Sequence, residues 1–385
     1  MMHPKSKSVI QLISSDGVYG AERVVLDLAA YFARRGWDSR VVAIDCPGAD
    51  ALLGLARSRG IATHKVLAAN RFLLHTLRDL RDYIRGEGIQ VVHAHGYKAD
   101  TLLQWSGSRR YARTLSTCHT WYSDSLRMKF YEMLDKLSLR RFDHVAVVSP
   151  QLEREVLACG VPRQRVSLVR NGTAAPVPAA DARMRIRREF SFDDQDVVMV
   201  RVGRLAQSKG NDLLLRAVAG NPQLGRAKVL FVGEGEERGA LQSLAESLGL
   251  GGRASFTGYR SDIADLLAAG DLFVLPSVKE GLPIALLEAM ASSLPVVSTD
   301  AGAIGLALEN LRNAWVVPVG DVERLAQALV QAVTQPDMRT LLTSRAREDY
   351  VRWFSLDAMG AAYESLYQSQ SLGDASPALE DSPCR

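Results

Sequence analysis

Two glutamates, Glu280 and Glu288, stand in a stretch whose pattern predicts a strand, a loop and a helix. Residues 271–275 form a short apolar run, as in a buried parallel strand, and Pro283 stands where a first helical turn should begin. A helix N-terminus that follows a parallel strand attracts anions, because its unpaired N–H groups point outward. A carboxylate there needs another partner, and sugar hydroxyls are one. The alternative, an acid pair that complements the helix dipole on a solvated face, leaves Gly281 and Pro283 unexplained.

A second group of chemically capable residues follows the apolar run 197–202. Gly203 and Arg204 stand at the end of this predicted strand, and Lys209 comes five residues after the arginine. When a bond to a diphosphate breaks, fixed cations can stabilise the developing charge without a metal. Arg204 offers a planar fork of donors and Lys209 a point charge. The Asp-x-Asp at 194–196 precedes its strand and is interpreted as a turn, so we expect no metal–diphosphate clamp.

These two motifs resemble the signatures of the retaining GT-B glycosyltransferases of family 4. The Glu-Gly-x-Pro sequence that begins at Glu280 is followed by Glu288, and Gly-Arg is followed by Lys209. The resemblance implies that Glu280 lies at the donor sugar and that Glu288 holds the ribose of the nucleotide. A turn at 255–259 is similar to the base-contacting turn of the family. The implied donor-binding residues are Gly203, Gly258, Tyr259, Gly281, Leu282 and Glu288, and the implied catalytic residues are His119, Arg204, Lys209 and Glu280.

All seven histidines lie before residue 150. His93 and His95 alternate at the end of a predicted strand and therefore share one face. With His119 as a third ligand they could hold a metal, but no nearby carboxylate or cysteine completes a set, and we expect none. A structural or substrate-lining role is the favoured interpretation of His95. His119 follows another strand in a segment that resembles the Thr-x-His motif of the family, which places it beside the transferred sugar; a satisfied loop histidine is the alternative.

The first predicted strand opens into a glycine-containing loop with Gly17 and Gly20, ahead of a helix with apolar residues at helical spacing. This loop resembles the acceptor-side Gly-Gly-Ala-Glu-Arg loop of family 4, with Tyr19 in place of the first glycine. An ordinary strand-to-helix turn is the alternative. Three further departures concern the donor side: Ala303 and Leu306 replace a Gly and a Glu of the family pattern, and Ser293 stands where Gly is common.

The alternation of strands and helices predicts an α/β chain with parallel sheets. The resemblance implies the GT-B architecture, in which two Rossmann-like domains face a central cleft. We expect an acceptor-side domain over 1–175 and a nucleotide-sugar-binding domain over 176–353. A helix at 354–370 should cross back onto the first domain. The polar segment 371–385 is expected to be a disordered tail.

Charge differs between the two halves, although the whole chain carries only +4. Residues 1–172 contain 26 Lys and Arg against 16 Asp and Glu, which leaves the rest of the chain acidic. A basic, amphipathic helix predicted over 125–141 could contact an anionic membrane surface, or it could be a solvated face packed on its own domain. The membrane hypothesis requires binding to anionic vesicles at low salt. No recognition motif accompanies the basic excess, so nucleic acid is not an expected partner.

Four scattered cysteines and the absence of a signal-peptide core favour the cytoplasm, with peripheral attachment to the inner face of the membrane as an extension of the same hypothesis. We therefore expect a retaining, metal-independent glycosyltransferase. It would move a sugar from a nucleotide-sugar donor, a UDP-sugar by family frequency, to a glycan or lipid-linked acceptor in surface polysaccharide biosynthesis, without a separate cofactor. Two alternatives stay open: a GT-B nucleotide-sugar epimerase or hydrolase, and a non-catalytic GT-B binding protein.

Overall fold

The computed structural model describes residues 7–15, 17, 20–67, 73–119 and 126–369. These residues divide into two compact units. The first comprises Met1–Gly172 together with the segment that begins at Leu356, and the second is Thr173–Ser355. The segment 371–385, for which we expected a disordered tail, lies outside the described residues.

The first unit is built on a parallel sheet of seven strands in the order β3-β2-β1-β4-β5-β6-β7. Its strands are β1 (Ser8–Ser14), β2 (Asp38–Ile44), β3 (Ala62–Val66), β4 (Val91–His95), β5 (Arg113–Cys118), β6 (His144–Val147) and β7 (Val166–Leu168). The order reverses at β1, which pairs with both β2 and β4. Ligands bind doubly wound sheets at the carboxyl edge near such a reversal, and Gln11, His93 and His95 lie on this central pair of strands.

Helices cover both faces of this sheet. They are α1 (Gly20–Arg34), α2 (Ala49–Ser58), α3 (Leu73–Gly86), α4 (Tyr97–Ser106), α5 (Leu126–Leu139) and α6 (Pro150–Ala158). Apolar residues of α1 and α2 pack on one face, around Ile13 and Val41. Those of α3, α4 and α6 pack on the other, around Leu12 and Val92. Because helices cover both faces, β4 and β6 are buried along their whole length, and the polar side chains within β4 are buried as well.

The second unit contains six parallel strands in the order β10-β9-β8-β11-β12-β13. They are β8 (Val197–Val202), β9 (Ala227–Val232), β10 (Ala254–Phe256), β11 (Leu272–Leu275), β12 (Val296–Thr299) and β13 (Trp315–Val317). The order reverses between β8 and β11, which are paired directly. The loops after these two strands are those that carry Arg204, Lys209 and Glu280, so the two sequence motifs meet at one edge of the sheet.

The helices of the second unit are α7 (Ala182–Glu189), α8 (Asn211–Ala219), α9 (Arg238–Ser247), α10 (Ile263–Ala269), α11 (Ile284–Ala291), α12 (Val322–Thr334) and α13 (Pro336–Asp349). One core cluster joins α8, α9 and α12 to the sheet through Met199, Phe231 and Trp315. Helix α11 is apolar on most sides and buries Leu286, Leu287 and Met290, with Glu288 its one acidic residue. The Asp-x-Asp at 194–196 lies in the turn before β8, as expected.

The last described helix, α14 (Leu356–Gln368), returns to the first unit and contacts α1. Tyr363 and Tyr367 on this helix are buried. The GT-B fold class predicted from the sequence is therefore confirmed in its two doubly wound α/β domains. The sequence analysis did not predict strand β3 or helices α2, α3, α4, α7, α9, α10 and α13, because their sequences carry no distinctive motif.

No helix among the described residues is long and apolar enough to cross a membrane. On α5, Met133 and Leu137 are each 50% exposed. Contact of this helix with an anionic membrane surface stays a prediction.

Ser293, which occupies a position where the family pattern favours Gly, has φ +55° just after α11. The left-handed conformation costs a non-glycine residue about 1–2 kcal/mol, and the greater freedom of glycine in the unfolded chain offsets part of this. We expect Ser293→Gly to raise the free energy of unfolding by about 0.5–1 kcal/mol in urea titrations. The matched control is Ser292→Gly, at φ −82°, which should lower stability slightly. Equal effects of the two substitutions would contradict the argument.

Candidate active site

Arg204 lies just beyond β8 and is exposed. Among the residues that the structure describes, its guanidinium has neither a hydrogen-bonded nor an ion-paired partner. Gly203 before it has φ +139°, and a Cβ there would lie 2.7 Å from Nη1 of Arg201. Glycine at 203 therefore lets the backbone turn directly over a buried arginine while Arg204 extends into solvent.

Lys209 ends a short 3₁₀ turn, Gln207–Lys209, before α8. Gly210 after it has φ +59°, and a Cβ at this position would lie 2.1 Å from the carbonyl oxygen of Pro276. Only glycine allows so close an approach to the chain after β11. The amides of Val278 and Lys279 donate to the carbonyl of Ser208 in the same contact, at 2.9 and 3.1 Å. Lys209 and Gly210 thus hold the turn Gln207–Lys209 against the loop that carries Glu280.

Glu280 receives two hydrogen bonds in this loop. Nζ of Lys209 lies 2.7 Å from its Oε2, and the Ser277 hydroxyl donates to Oε1 at 2.8 Å. The Glu280 side chain is only 8% exposed and that of Lys209 22%. The structure therefore brings together two residues that the sequence assigned to different parts of a donor. Their direct ion pair was not predicted, since 71 positions separate them in the chain.

Glu288 lies one turn inside α11 and is half-buried. The helix begins after Pro283, which has extended backbone and no side-chain cap, so no side chain covers the first-turn N–H groups at that position. Gly281 and Leu282 precede it, exposed and half-buried respectively. Free N–H groups at a helix N-terminus bind anions, and their placement after β11 fits the diphosphate role implied for this segment.

The turn after β10 is tied to the glycine loop after β9. The amide of Gly233 donates to the carbonyl of Gly258 at 2.9 Å. Tyr259 beside it is 77% exposed, which leaves its ring accessible to a ligand. The structure therefore places Gly258 and Tyr259 at the same edge of the sheet as Arg204, without testing the base-contacting role.

In the first unit, His93 and His95 are buried on β4 in a continuous chain of hydrogen bonds. The Gln11 amide donates to the Tyr367 hydroxyl at 3.2 Å, and that hydroxyl lies 2.6 Å from Nδ1 of His93. Nε2 of His93 lies 2.6 Å from the Thr117 hydroxyl, which in turn lies 2.7 Å from the Tyr363 hydroxyl. Both tyrosines come from α14, so the last helix completes a polar network inside the first unit.

The same chain reaches His119 through His95. Oε1 of Gln11 accepts from Nε2 of His95 at 2.8 Å, which assigns the His95 proton to that nitrogen. Nδ1 of His95 then accepts from Nε2 of His119 at 3.2 Å. Burial lowers the pKa of His95 well below its usual range and that of His119 to about 4, so both rings are neutral near pH 7. The Nδ1 nitrogen of His119 is therefore left as a hydrogen-bond acceptor.

This geometry also bears on the metal alternative. Both ring nitrogens of His93 and both of His95 have protein partners. Within the described ranges, no group of three or more His, Cys, Asp or Glu side chains is arranged to hold a metal ion. The three histidines do come together, but His95 is hydrogen-bonded to His119, and His93 is hydrogen-bonded to Thr117 and to Tyr367 of α14.

The acceptor-side loop is described only in part. The amide of Gly17 donates to the Ser15 hydroxyl at 3.2 Å, and Gly20 is the first residue of α1. Tyr19, the departure from the family pattern, lies outside the described residues.

Family models match both units. "Glycosyl transferases group 1" matches residues 182–349, the unit with Arg204, Lys209 and Glu280. "Glycosyltransferase Family 4" matches residues 18–174. The chain belongs to family 4 of the glycosyltransferases.

Curated relatives of the chain include the lipopolysaccharide core biosynthesis glycosyltransferase LpsE of Rhizobium meliloti, 37% identical over 45% of the chain and 50% of the relative. That match therefore spans about half the length of the relative. A glycosyltransferase of Methanocaldococcus jannaschii described as uncharacterized, MJ1607, is 24% identical over 89% of the chain and 92% of its own length.

Solved structures show the same fold. The Anabaena protein Alr3699/HepE in complex with UDP superposes with a TM-score of 0.81 at 19% identity, over 93% of this chain and 99% of that one. A glycosyltransferase from Rickettsia africae gives 0.80 at 17% identity, over 94% and 98%.

The hydroxyls of Tyr363 and Tyr367 offer a matched test of the network. Tyr367→Phe leaves the buried Gln11 amide and Nδ1 of His93 without a partner, which should lower the free energy of unfolding by about 1–3 kcal/mol. Tyr363→Phe leaves Thr117 bonded to His93 and should cost less, about 0.5–1.5 kcal/mol. Urea unfolding of the two variants measures the difference. An equal or larger cost for Tyr363→Phe would contradict the assigned hydrogen bonds.

Proposed function

We propose that the protein is a retaining, metal-independent glycosyltransferase that takes a sugar from a nucleotide-sugar donor and places it on a glycan or lipid-linked acceptor. The observation that carries this proposal is the gathering of Arg204, Lys209 and Glu280 at one sheet edge, beside the N-terminus of α11. Membership of family 4 supports glycosyl transfer, and this site suits a donor with a diphosphate.

The donor side follows from charge. Arg204 has no partner among the described residues, and Lys209 is partly exposed, so both can receive the diphosphate. The N–H groups at the start of α11 add a partial positive charge. As the glycosidic bond breaks, these groups stabilise the leaving nucleoside diphosphate, which is the role a metal would otherwise play. We assign UDP as the nucleotide because solved structures of HepE contain UDP and UDP-glucose.

Glu280 is assigned to a hydroxyl of the donor sugar and Glu288 to the ribose. Both oxygens of Glu280 are already engaged by Lys209 and Ser277, an arrangement that suits a hydrogen-bonding group better than a nucleophile. We therefore assign no protein nucleophile. In the retaining mechanism proposed here, the acceptor attacks the face from which the nucleotide leaves, and the departing phosphate helps to deprotonate it.

On the acceptor side, the role of His119 beside the transferred sugar rests on the family motif. Its neutral ring, with Nδ1 as acceptor, suits a hydrogen bond from a sugar hydroxyl. Relatives named for lipopolysaccharide core and colanic acid biosynthesis support a surface polysaccharide as the product. The acceptor is proposed accordingly as a growing glycan or its lipid-linked precursor.

A thermal-shift screen against UDP-, GDP- and ADP-sugars tests the donor. At a hundred times its dissociation constant, a ligand stabilises the native state by about 2.7 kcal/mol, so we expect a clear rise in midpoint with UDP-sugars. Stabilisation by GDP- or ADP-sugars alone would contradict the UDP assignment. Conversion of the donor to another sugar in the absence of any acceptor would indicate an epimerase, and release of free sugar a hydrolase.

Lys209→Ala should lower kcat by about 10²-fold or more, because a positive charge opposite the leaving diphosphate is lost. The measurement is nucleotide release at saturating donor and acceptor. The matched control is Lys228→Ala, since Lys228 lies near the amino end of β9, away from the site, and should retain most of the activity. Near-normal turnover of the Lys209 variant would contradict its role.

A further inference from the structure

We propose that Arg201 is a positioning residue of the donor site. Its positive charge stabilises the Glu280 carboxylate when the Lys209 ammonium moves from that carboxylate to the diphosphate of the donor. This inference rests on the proposed function, because it requires a diphosphate at the end of β8. It adds a residue that neither family motif contains.

Arg201 is a buried cation with unmet hydrogen bonds. The side chain is 0% exposed, and its Nε and Nη1 atoms have no hydrogen-bond partner. A guanidinium without partners is costly inside a protein, because water no longer solvates its charge. Burial lowers the pKa of Arg201 to about 10, so the group is still charged at neutral pH. A charged guanidinium buried among the valines of β8 therefore requires a compensating negative charge nearby.

The position of Arg201 identifies that charge. Its Nη1 lies directly beneath Gly203, where a Cβ would come within 2.7 Å. Strand β8 pairs with β11, with Val200 opposite Phe273, so the loops after both strands leave the sheet side by side. Glu280 is on the second of these loops, and its charge is the one that acts favourably on Arg201. The guanidinium thus lies beneath the glycine turn, on the strand that neighbours the one leading into the glutamate loop, and is closed off from solvent.

The ion pair between Lys209 and Glu280 creates the need for such a residue. In the free protein, Nζ of Lys209 lies 2.7 Å from Glu280. When the Lys209 ammonium moves to bind a diphosphate, Glu280 keeps only the hydrogen bond from the Ser277 hydroxyl. The Glu280 side chain is only 8% exposed, so water replaces little of the lost contact. An unpaired carboxylate in such a site costs free energy that would be subtracted from donor binding. The positive charge of Arg201 lowers this cost without touching the ligand.

A double-mutant cycle with UDP as the probe tests the proposal. UDP lacks the sugar that Glu280 is assigned to hold, so its binding reports on Lys209 and the diphosphate. Arg201→Met should weaken UDP binding by about tenfold in calorimetric titration, because Glu280 then retains Lys209. In the Glu280→Gln background, which removes the carboxylate charge, the same Arg201→Met change should alter affinity by less than about threefold. Arg201→Lys keeps the charge and should stay close to wild type.

Each result decides the matter. An equal loss of UDP affinity in both backgrounds would mean that Arg201 acts on the fold or on the nucleotide directly, and would overturn the proposal. So would unchanged affinity of Arg201→Met, or a loss in Arg201→Lys as large as that in Arg201→Met. Urea unfolding shows whether each variant is folded. Failure of the wild-type protein to bind UDP, GDP or ADP would instead overturn the proposed function itself, and this inference with it.

Discussion

The ion pair between Lys209 and Glu280 is the contact on which the candidate site of the second unit depends. It joins the loops that follow β8 and β11, the two strands at which the sheet order reverses. Gly210 makes the contact possible, since any side chain there would collide with the carbonyl of Pro276. The pair also holds the lysine in place before a ligand arrives, which reduces the reorganisation that a transition-state charge would otherwise require.

Such preorganisation has a consequence for charge. A lysine that serves a carboxylate in the free protein and a diphosphate in the complex must exchange partners, and a buried carboxylate cannot be left alone cheaply. Arg201, which is fully buried and has no hydrogen-bond partner at Nε or Nη1, lies beneath the neighbouring turn and supplies a positive charge that stabilises such a carboxylate. The free-energy cost of burying Arg201 is thus linked to its proposed role in donor binding.

The first unit is organised differently, around neutral hydrogen bonds. Gln11, His93 and His95 lie on the two central strands, and Tyr363 and Tyr367 of α14 complete their network. Because burial keeps the histidines neutral, each ring has one donor and one acceptor. The donors run in one direction, from Nε2 of His119 through His95 and Gln11 to Tyr367, which leaves Nδ1 of His119 as an acceptor. Helix α14, the last that the structure describes, therefore contributes to the environment of a candidate active-site residue in the first unit.

Local patterns in the sequence determined the fold class and most of the strands. Apolar runs bounded by Gly and Pro mark β8, β11 and β12. Gly203 and Gly210 mark turns whose backbone only glycine adopts without strain. Ser293 stands where the family pattern favours glycine, and its φ of +55° lies in the left-handed region that glycine adopts most easily. What the tertiary structure alone decided are the partners: the Lys209–Glu280 pair, the isolation of Arg201, and the link from His119 to Tyr367. These contacts depend on distance and burial between segments far apart in the chain, and no local pattern encodes either quantity.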